Sequence, residues 1–283
     1  MRTKPFGKTG VELPVIGQGT WNMPESGAAS REAKSALRRG IELGMRHIDT
    51  AEMYGTGRVE ELVGEAIRGI PRGRLFITTK VLPSNASYAG TLRAAEGSLR
   101  RLGCDYLDCY LLHWPGAHPL EETMRAFRTL IEQGKTRFAG VSNFDASEML
   151  EAARLLGDRP LACNQVLYHL DERGIEHGVI PAARRAGVAV VAYTPFGRGS
   201  FHRAGAARRE TLERVARKHG ATPRQVVLAF LTAEPELFAI PKAARLEPVE
   251  ETAAAGSLAL DAEDLAAVGE AFPRGRPGPL ATL

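Results

Sequence analysis

RHIDTAEMYG, Arg46 to Gly55, is the stretch that decides how the chain folds: a short apolar run carries Asp49 at its end, and the loop behind it carries Tyr54. Alone, a carboxylate at a strand end reads as a helix cap or a solvated turn residue. Its meaning changes because later strand-like runs also finish on polar side chains, at Lys80, His113, Ser142 with Asn143, Gln165, Tyr193 and Lys242. A parallel α/β barrel builds its active site in this way, from the carboxyl ends of successive strands.

Outward from that stretch the chain alternates. Ala33, Ala36, Leu37 and Ile41 before it, and Val59, Leu62, Val63, Ala66 and Ile67 after it, repeat at three- and four-residue steps, the apolar stripe of amphipathic helices. Strand-like runs are expected at Val15–Gly17, His47–Ile48, Leu75–Thr79, Tyr106–Leu112, Phe138–Val141, Leu161–Val166, Val188–Tyr193 and Leu237–Ile240, with helices between them and a last helix near Pro248–Gly256. Eight strands at roughly thirty-residue spacing predict a (β/α)8 TIM barrel of the α/β class. Gly7 to Gly10 turns between Arg2–Phe6 and Val11–Leu13, which predicts a short N-terminal β-hairpin, and no linker divides residues 1–283 into more than one domain. An open doubly wound sheet would want a third glycine in its first turn, and Gly17-Gln18-Gly19-Thr20-Trp21-Asn22 lacks it. The tail from Pro273 to Leu283 holds too much Pro and Gly for a helix.

Of 283 residues 44% are hydrophobic and 25% charged, a globular balance, and the formal charge of +4 is spread over scattered basic residues. That distribution favours an anionic small ligand over nucleic acid. Cys104, Cys109 and Cys163 are an odd number without metal-ligand spacing, and His118, His169, His177, His202 and His219 form no metal-binding pattern, so neither a disulfide framework nor a metal site is expected. The first residues lack an apolar signal core, and no run nears the ~18 apolar residues of a membrane span. A reduced cytoplasmic setting without a membrane is the expectation.

At the carboxyl ends of neighbouring strands Asp49, Tyr54, Lys80 and His113 become neighbours in space. A phenol is a poor acid at neutral pH, but a nearby ammonium favours its ionised form, so Lys80 is expected to lower Tyr54. Asp49 would in turn keep Lys80 charged. His113 would orient a carbonyl or share in proton delivery. Such a set moves a proton to an oxygen but supplies no electron pair, which calls for a hydride-carrying cofactor.

The segments that hold these residues resemble the aldo-keto reductase family of NAD(P)H-dependent barrels. They are GQGTW (Gly17–Trp21), GMRHIDTAEMYG (Gly44–Gly55), ITTK (Ile77–Lys80), SLRRLGCDYLDCYLLHWP (Ser98–Pro115), GVSNF (Gly140–Phe144), Asn164-Gln165, AYTPFGRG (Ala192–Gly199) and IPK (Ile240–Lys242), in the family's order. The resemblance implies Tyr54 as general acid, Lys80 and Asp49 as its tuning pair and His113 as the carbonyl-orienting residue. It implies a cofactor site of Gly19, Thr20, Asp49, Ser142, Asn143, Gln165, Tyr193, Thr194, Pro195, Phe196, Gly197, Ile240, Lys242, Arg245 and Glu251. Within it Ser142, Asn143 and Gln165 hold the nicotinamide carboxamide, Tyr193 stacks on the ring, the Thr194–Gly199 loop runs under the pyrophosphate and Lys242 meets an adenosine 2′-phosphate. Trp21 and Trp114 line the substrate mouth with Tyr54 and His113. The family's later residues are replaced at Ala243, Pro248 and Thr252, and Arg245 stands in for the missing cation.

The implied activity is reduction of aldehydes and ketones to alcohols with NADPH, NADH being the alternative, by a monomer or weak oligomer. Two rivals remain at this point. One is a cofactor-binding regulatory or partner subunit with little turnover; the other is a sugar-phosphate isomerase that needs no nicotinamide.

Overall fold

The computed structural model describes residues 1–199 and 205–283; His202 lies outside the described residues. The chain opens with an antiparallel hairpin, β1 (Thr3–Pro5) and β2 (Glu12–Pro14), in the register Thr3 to Pro14. Eight parallel strands follow: β3 (Gln18–Gly19), β4 (His47–Asp49), β5 (Phe76–Val81), β6 (Leu107–Leu112), β7 (Thr136–Ser142), β8 (Leu161–Leu167), β9 (Ala189–Tyr193) and β10 (Leu237–Ala239). They pair in chain order, and bridges from Ile16 to Ala239 and from Gly19 to Lys242 join the first to the last. The fold is a (β/α)8 barrel with an N-terminal hairpin, as the residue pattern predicts.

The first barrel strand lies later than the expected Val15–Gly17. Val15 and Ile16 are the more apolar, but the pairing with β4 runs through Gln18 and Gly19, and Ile16 contributes only its bridge to Ala239. Glycine is needed at this seam, since a Cβ on Gly19 would sit 2.5 Å from the Ile240 carbonyl oxygen.

Helices α1 (Gly27–Glu42), α2 (Arg58–Ile67), α3 (Tyr88–Leu102), α4 (Leu120–Glu132), α5 (Ala146–Leu156), α6 (Val179–Ala186), α8 (Pro223–Leu231) and α9 (Leu246–Ala255) surround the sheet, with α9 packing on both α8 and α1 to close the outer layer. An additional helix, α7 (Ala206–Lys218), packs on α8 and on α10 (Ala262–Ala271). α10 lies beyond the last helix the periodicity predicts. Its signal is a capping box, Asp261 accepting from the Asp264 N–H, ahead of an alanine-rich segment with a weak apolar stripe. None of the described helices is long and apolar enough to cross a membrane.

Strand alternation sorts the core into two clusters. Ile48, Ile77, Tyr110, Val141, Val166 and Val190 face the helices in the larger one. Phe76, Cys109, Leu111, Cys163, Val191 and Phe238 join Phe6 and Leu13 of the hairpin in the smaller one, inside the barrel. Phe6 is fully buried and meets His47, Phe76 and Phe238 edge-on, with ring centroids at 5.8, 5.3 and 5.2 Å. Burial pushes the His47 imidazole down to about 3, helped by the charge of Lys80, so this plug is uncharged. Phe6→Ala is expected to cost about 3–5 kcal/mol, because the surrounding barrel cannot collapse into the void. A melting curve should show Tm lower by roughly 10 °C; a shift of a degree or two would mean the hairpin is not part of the core.

Candidate active site

The inward-facing residues at the upper ends of the strands are polar, whereas those below are apolar apart from His47 and its partner Thr78. Asp49 is the last residue of β4 and Lys80 the penultimate one of β5, and the register sets Asp49 beside Thr78. Their side chains are 2% and 0% exposed, and Lys80 Nζ donates to Asp49 Oδ1 at 2.6 Å and to the Thr50 carbonyl at 2.8 Å. The third bond from Nζ goes to Tyr54 Oη at 3.3 Å. All three ammonium protons are therefore directed, one of them at the phenol.

Tyr54 reaches this position through a left-handed turn. Gly55, Thr56 and Gly57 have φ of 56, 55 and 91°, a conformation that costs little only at glycine. A side chain at Gly55 would also have to displace the carboxylate of the partly exposed Glu25. His113 follows β6, its N–H continuing the ladder to the Val81 carbonyl at 3.0 Å, and its ring stands edge-on to Tyr54 at 5.8 Å and against Trp114 at 4.7 Å.

Burial raises the Tyr54 phenol above its ordinary value, and the opposing charge of Lys80 does not cancel it. This corrects the expectation that Lys80 leaves Tyr54 more acidic than a free tyrosine: desolvation of the phenolate is the larger effect, and Asp49 adds to it. Burial works against the charge on Lys80 too, but Asp49 and Tyr54 together hold the ammonium above its ordinary value. The Asp49 carboxyl is raised by burial against the pull of Lys80 and Gln165. Because free lysine and aspartate differ by about six units, the proton stays on Lys80. Burial and the charge of Lys80 push His113 down to about 2, so its imidazole is neutral and can orient an oxygen without being its acid.

A chain of hydrogen bonds ties this cluster to the next three strands. Gln165 Nε2 donates to Asp49 Oδ2 at 2.6 Å, Ser142 Oγ to the Gln165 carbonyl at 2.8 Å, and Asn143 Nδ2 to Ser142 Oγ at 3.2 Å and to the His113 carbonyl at 3.1 Å. Tyr193 Oη donates to Asn143 Oδ1 at 2.8 Å. Asn143 itself is held at φ 60°, a region asparagine tolerates better than most residues. Just after β3, Thr20 Oγ1 donates to the Asp49 carbonyl at 2.8 Å.

These residues surround one cavity of about 820 Å³, counting its open mouth. Gly19, Thr20, Trp21, Asp49, Tyr54, His113, Trp114, Ser142, Asn143, Gln165, Tyr193, Thr194, Ile240 and Lys242 line it. Lys80 stands behind the wall and acts through its bonds. Arg245 and Glu251 fall elsewhere, on a neighbouring cavity that shares Lys242 with the first. There Glu251 pairs with Arg224 at 3.1 Å and accepts from Thr222 at 2.7 Å. Pro195, Phe196 and Gly197 line neither; the Phe196 ring lies 4.0 Å beneath the Arg224 guanidinium.

Three lining residues escape the motif reading: Met53, Arg198 and Leu283. Met53 and Arg198 sit inside quoted motifs, Arg198 on the Thr194–Gly199 loop expected under the pyrophosphate, and neither side chain has a role of its own in that reading. Leu283 is brought back by the tail after α10 and has no local signal.

The wall fits a dinucleotide: a half-buried flat ring at Tyr193, amide and hydroxyl groups beside it and an exposed ammonium at Lys242. Among the described residues no group of three His, Cys, Asp or Glu is placed to hold a metal ion.

A model of the Aldo/keto reductase family matches residues 15–272. Methylglyoxal reductase YeaE of Escherichia coli is 43% identical over 93% of this chain and 92% of its own. Glyoxal reductase of Bacillus subtilis is 34% identical over 90% and 88%. The crystal structure of an aldo-keto reductase from Klebsiella pneumoniae in complex with NADPH superposes with a TM-score of 0.92 at 41% identity, covering 100% of both chains.

Proposed function

The chain belongs to the aldo/keto reductase family, and from that membership we propose that its substrates are small aldehydes and ketones, 2-oxoaldehydes foremost, and that the one barrel domain works in the cytoplasm. It is an oxidoreductase that reduces carbonyl groups to alcohols with NADPH. The observation that carries the catalytic assignment is the directed third bond of Lys80: with Nζ donating to Tyr54 Oη, the phenol's own proton is free to point into the cavity. The bound cofactor supplies the hydride. Tyr54 donates its proton to the carbonyl oxygen, and the neutral His113 ring holds that oxygen in place. Lys80 and Asp49 limit the cost of phenolate formed at Oη as the proton leaves. Ser142, Asn143 and Gln165 orient the carboxamide, Tyr193 carries the nicotinamide face, and Lys242 with Arg245 meets the 2′-phosphate.

The intact four-residue set supports turnover, leaving the binding-only alternative without an observation in its favour. A panel of aldehydes and ketones, methylglyoxal included, assayed by loss of NADPH absorbance tests the reading; cofactor binding with no turnover on any of them would overturn it. Lys242→Ala is expected to weaken NADPH by about ten- to a hundredfold, the range of a hydrogen bond to a charged group, and NADH by less than threefold. Fluorescence titration of both cofactors checks this, and equal losses would remove Lys242 from the phosphate.

A further inference from the structure

Glu52 has no part in the chemistry above, yet it stands two residues before Tyr54 on the loop that carries the general acid. Its backbone N–H extends the pairing of β4 with β5, donating to the Lys80 carbonyl at 3.3 Å. Its side chain then crosses to the turn beyond β5: Oε1 accepts from the Leu82 N–H at 2.7 Å and from Asn85 Nδ2 at 3.0 Å. One carboxylate oxygen thereby gathers two donors from the turn Pro83–Asn85 and the residue before it. Hydrogen bonds that end on a carboxylate are the stronger kind.

The turn that Glu52 grips is fixed from its other sides. Pro83 is buried, the Asn85 carbonyl accepts from Thr91 Oγ1 at 3.4 Å, and the Ala86 carbonyl accepts from Thr123 Oγ1 of α4 at 2.6 Å. Ser87 caps α3, its Oγ accepting from the Gly90 N–H at 3.1 Å. The loop carrying His113 rests on the same turn. The His113 N–H bonds to the Val81 carbonyl just ahead of it, and Gly116 approaches so closely that a Cβ there would sit 2.5 Å from Pro83 Cβ. Tyr54 and His113 therefore share one support: Glu52 ties the first loop to it, and Gly116 packs the second against it. On its other side Tyr54 is followed by the left-handed turn of Gly55, Thr56 and Gly57, where two glycines restrain the backbone little.

We infer that Glu52 is a positioning residue for the proton transfer: its tether sets the place of the Tyr54 phenol over Lys80 and its distance from the oxygen that His113 orients. This rests on the carbonyl-reductase reading with Tyr54 as acid, and adds to it a residue that stands off the cavity wall. Tyr54 Oη lies 3.3 Å from Lys80 Nζ, near the long end of a hydrogen bond, so a small slide of the loop breaks the contact. Misplacing a reacting group by about 1 Å is enough to cost up to about a hundredfold in rate.

The test measures methylglyoxal reduction, NADPH affinity and Tm in wild type, Glu52→Ala and Glu52→Gln, with hydrogen exchange followed at the Leu82 amide. Glu52→Ala is expected to lower kcat about tenfold, while KM for methylglyoxal and NADPH affinity stay within about threefold. Glu52→Gln should recover most of kcat, since its side-chain carbonyl oxygen can accept the same two bonds. The Leu82 amide should exchange faster in Glu52→Ala alone. An unmoved kcat in Glu52→Ala overturns the proposal. So does a kcat equally low in Glu52→Gln, which would assign the effect to the charge, or a fall in kcat matched by falls in NADPH affinity and Tm, which would make the bond a folding contact. If wild type reduces no carbonyl compound yet the Leu82 amide follows this pattern, the tether stands and the reductase reading falls.

Discussion

Replacing Tyr54 by Phe is expected to lower kcat for aldehyde reduction by about 10²–10⁴-fold, the usual contribution of a positioned general acid, while NADPH affinity changes little. The ring and its edge contact with His113 remain, and Lys80 keeps its bonds to Asp49 and Thr50, so the fold loses only about 1 kcal/mol. The pH dependence separates Tyr54 from His113 as the acid. A phenol raised above its ordinary value stays protonated through neutral pH, so the rate should be level there and fall only on the alkaline side of about 10. Burial has moved His113 far below the neutral range, so no inflection belongs near its ordinary value of about 6.5. A step near that pH, or turnover in Tyr54→Phe within tenfold of wild type, would transfer the proton to another group.

Lys80→Met is expected to fail twice. Removing the ammonium leaves Asp49 almost fully buried with Gln165 as its remaining side-chain donor, and breaking one side of a buried pair costs about 3–5 kcal/mol. Turnover should fall with it, because no positive charge then faces the phenolate at Tyr54 Oη. Folding loss alone would also abolish activity, so the double variant Asp49→Asn with Lys80→Met is the discriminating one. It removes both charges and should recover much of the stability in a denaturant titration, yet remain inactive. Recovery of turnover with stability would reduce Lys80 to a structural residue.

Much of the site is legible in the sequence because parallel strands in a barrel all present their carboxyl ends at one rim. Knowing that Asp49, Lys80, His113, Ser142, Gln165 and Tyr193 end or follow strand-like runs is enough to gather them. Gln165 shows the limit of that reasoning: its place on the rim is readable, but its bond to Asp49 depends on how side chains fill the top of the barrel. Tyr54 shows another. The pairing with Lys80 suggests an acidified phenol, whereas the burial that decides its direction is a property of the closed barrel.

Residue types and their spacing determined the barrel, its strand order and the chemistry of the rim, since hydrophobic period and chain direction are local properties that the barrel repeats eight times. Tertiary structure alone decided the start of β3, the separation of Lys242, Arg245 and Glu251 between two cavities, and the presence of Arg198 and Leu283 on the catalytic wall. Each of these depends on where a loop or tail comes to rest against distant elements. Loop φ values and long-range packing set that, and neither has a periodicity to read.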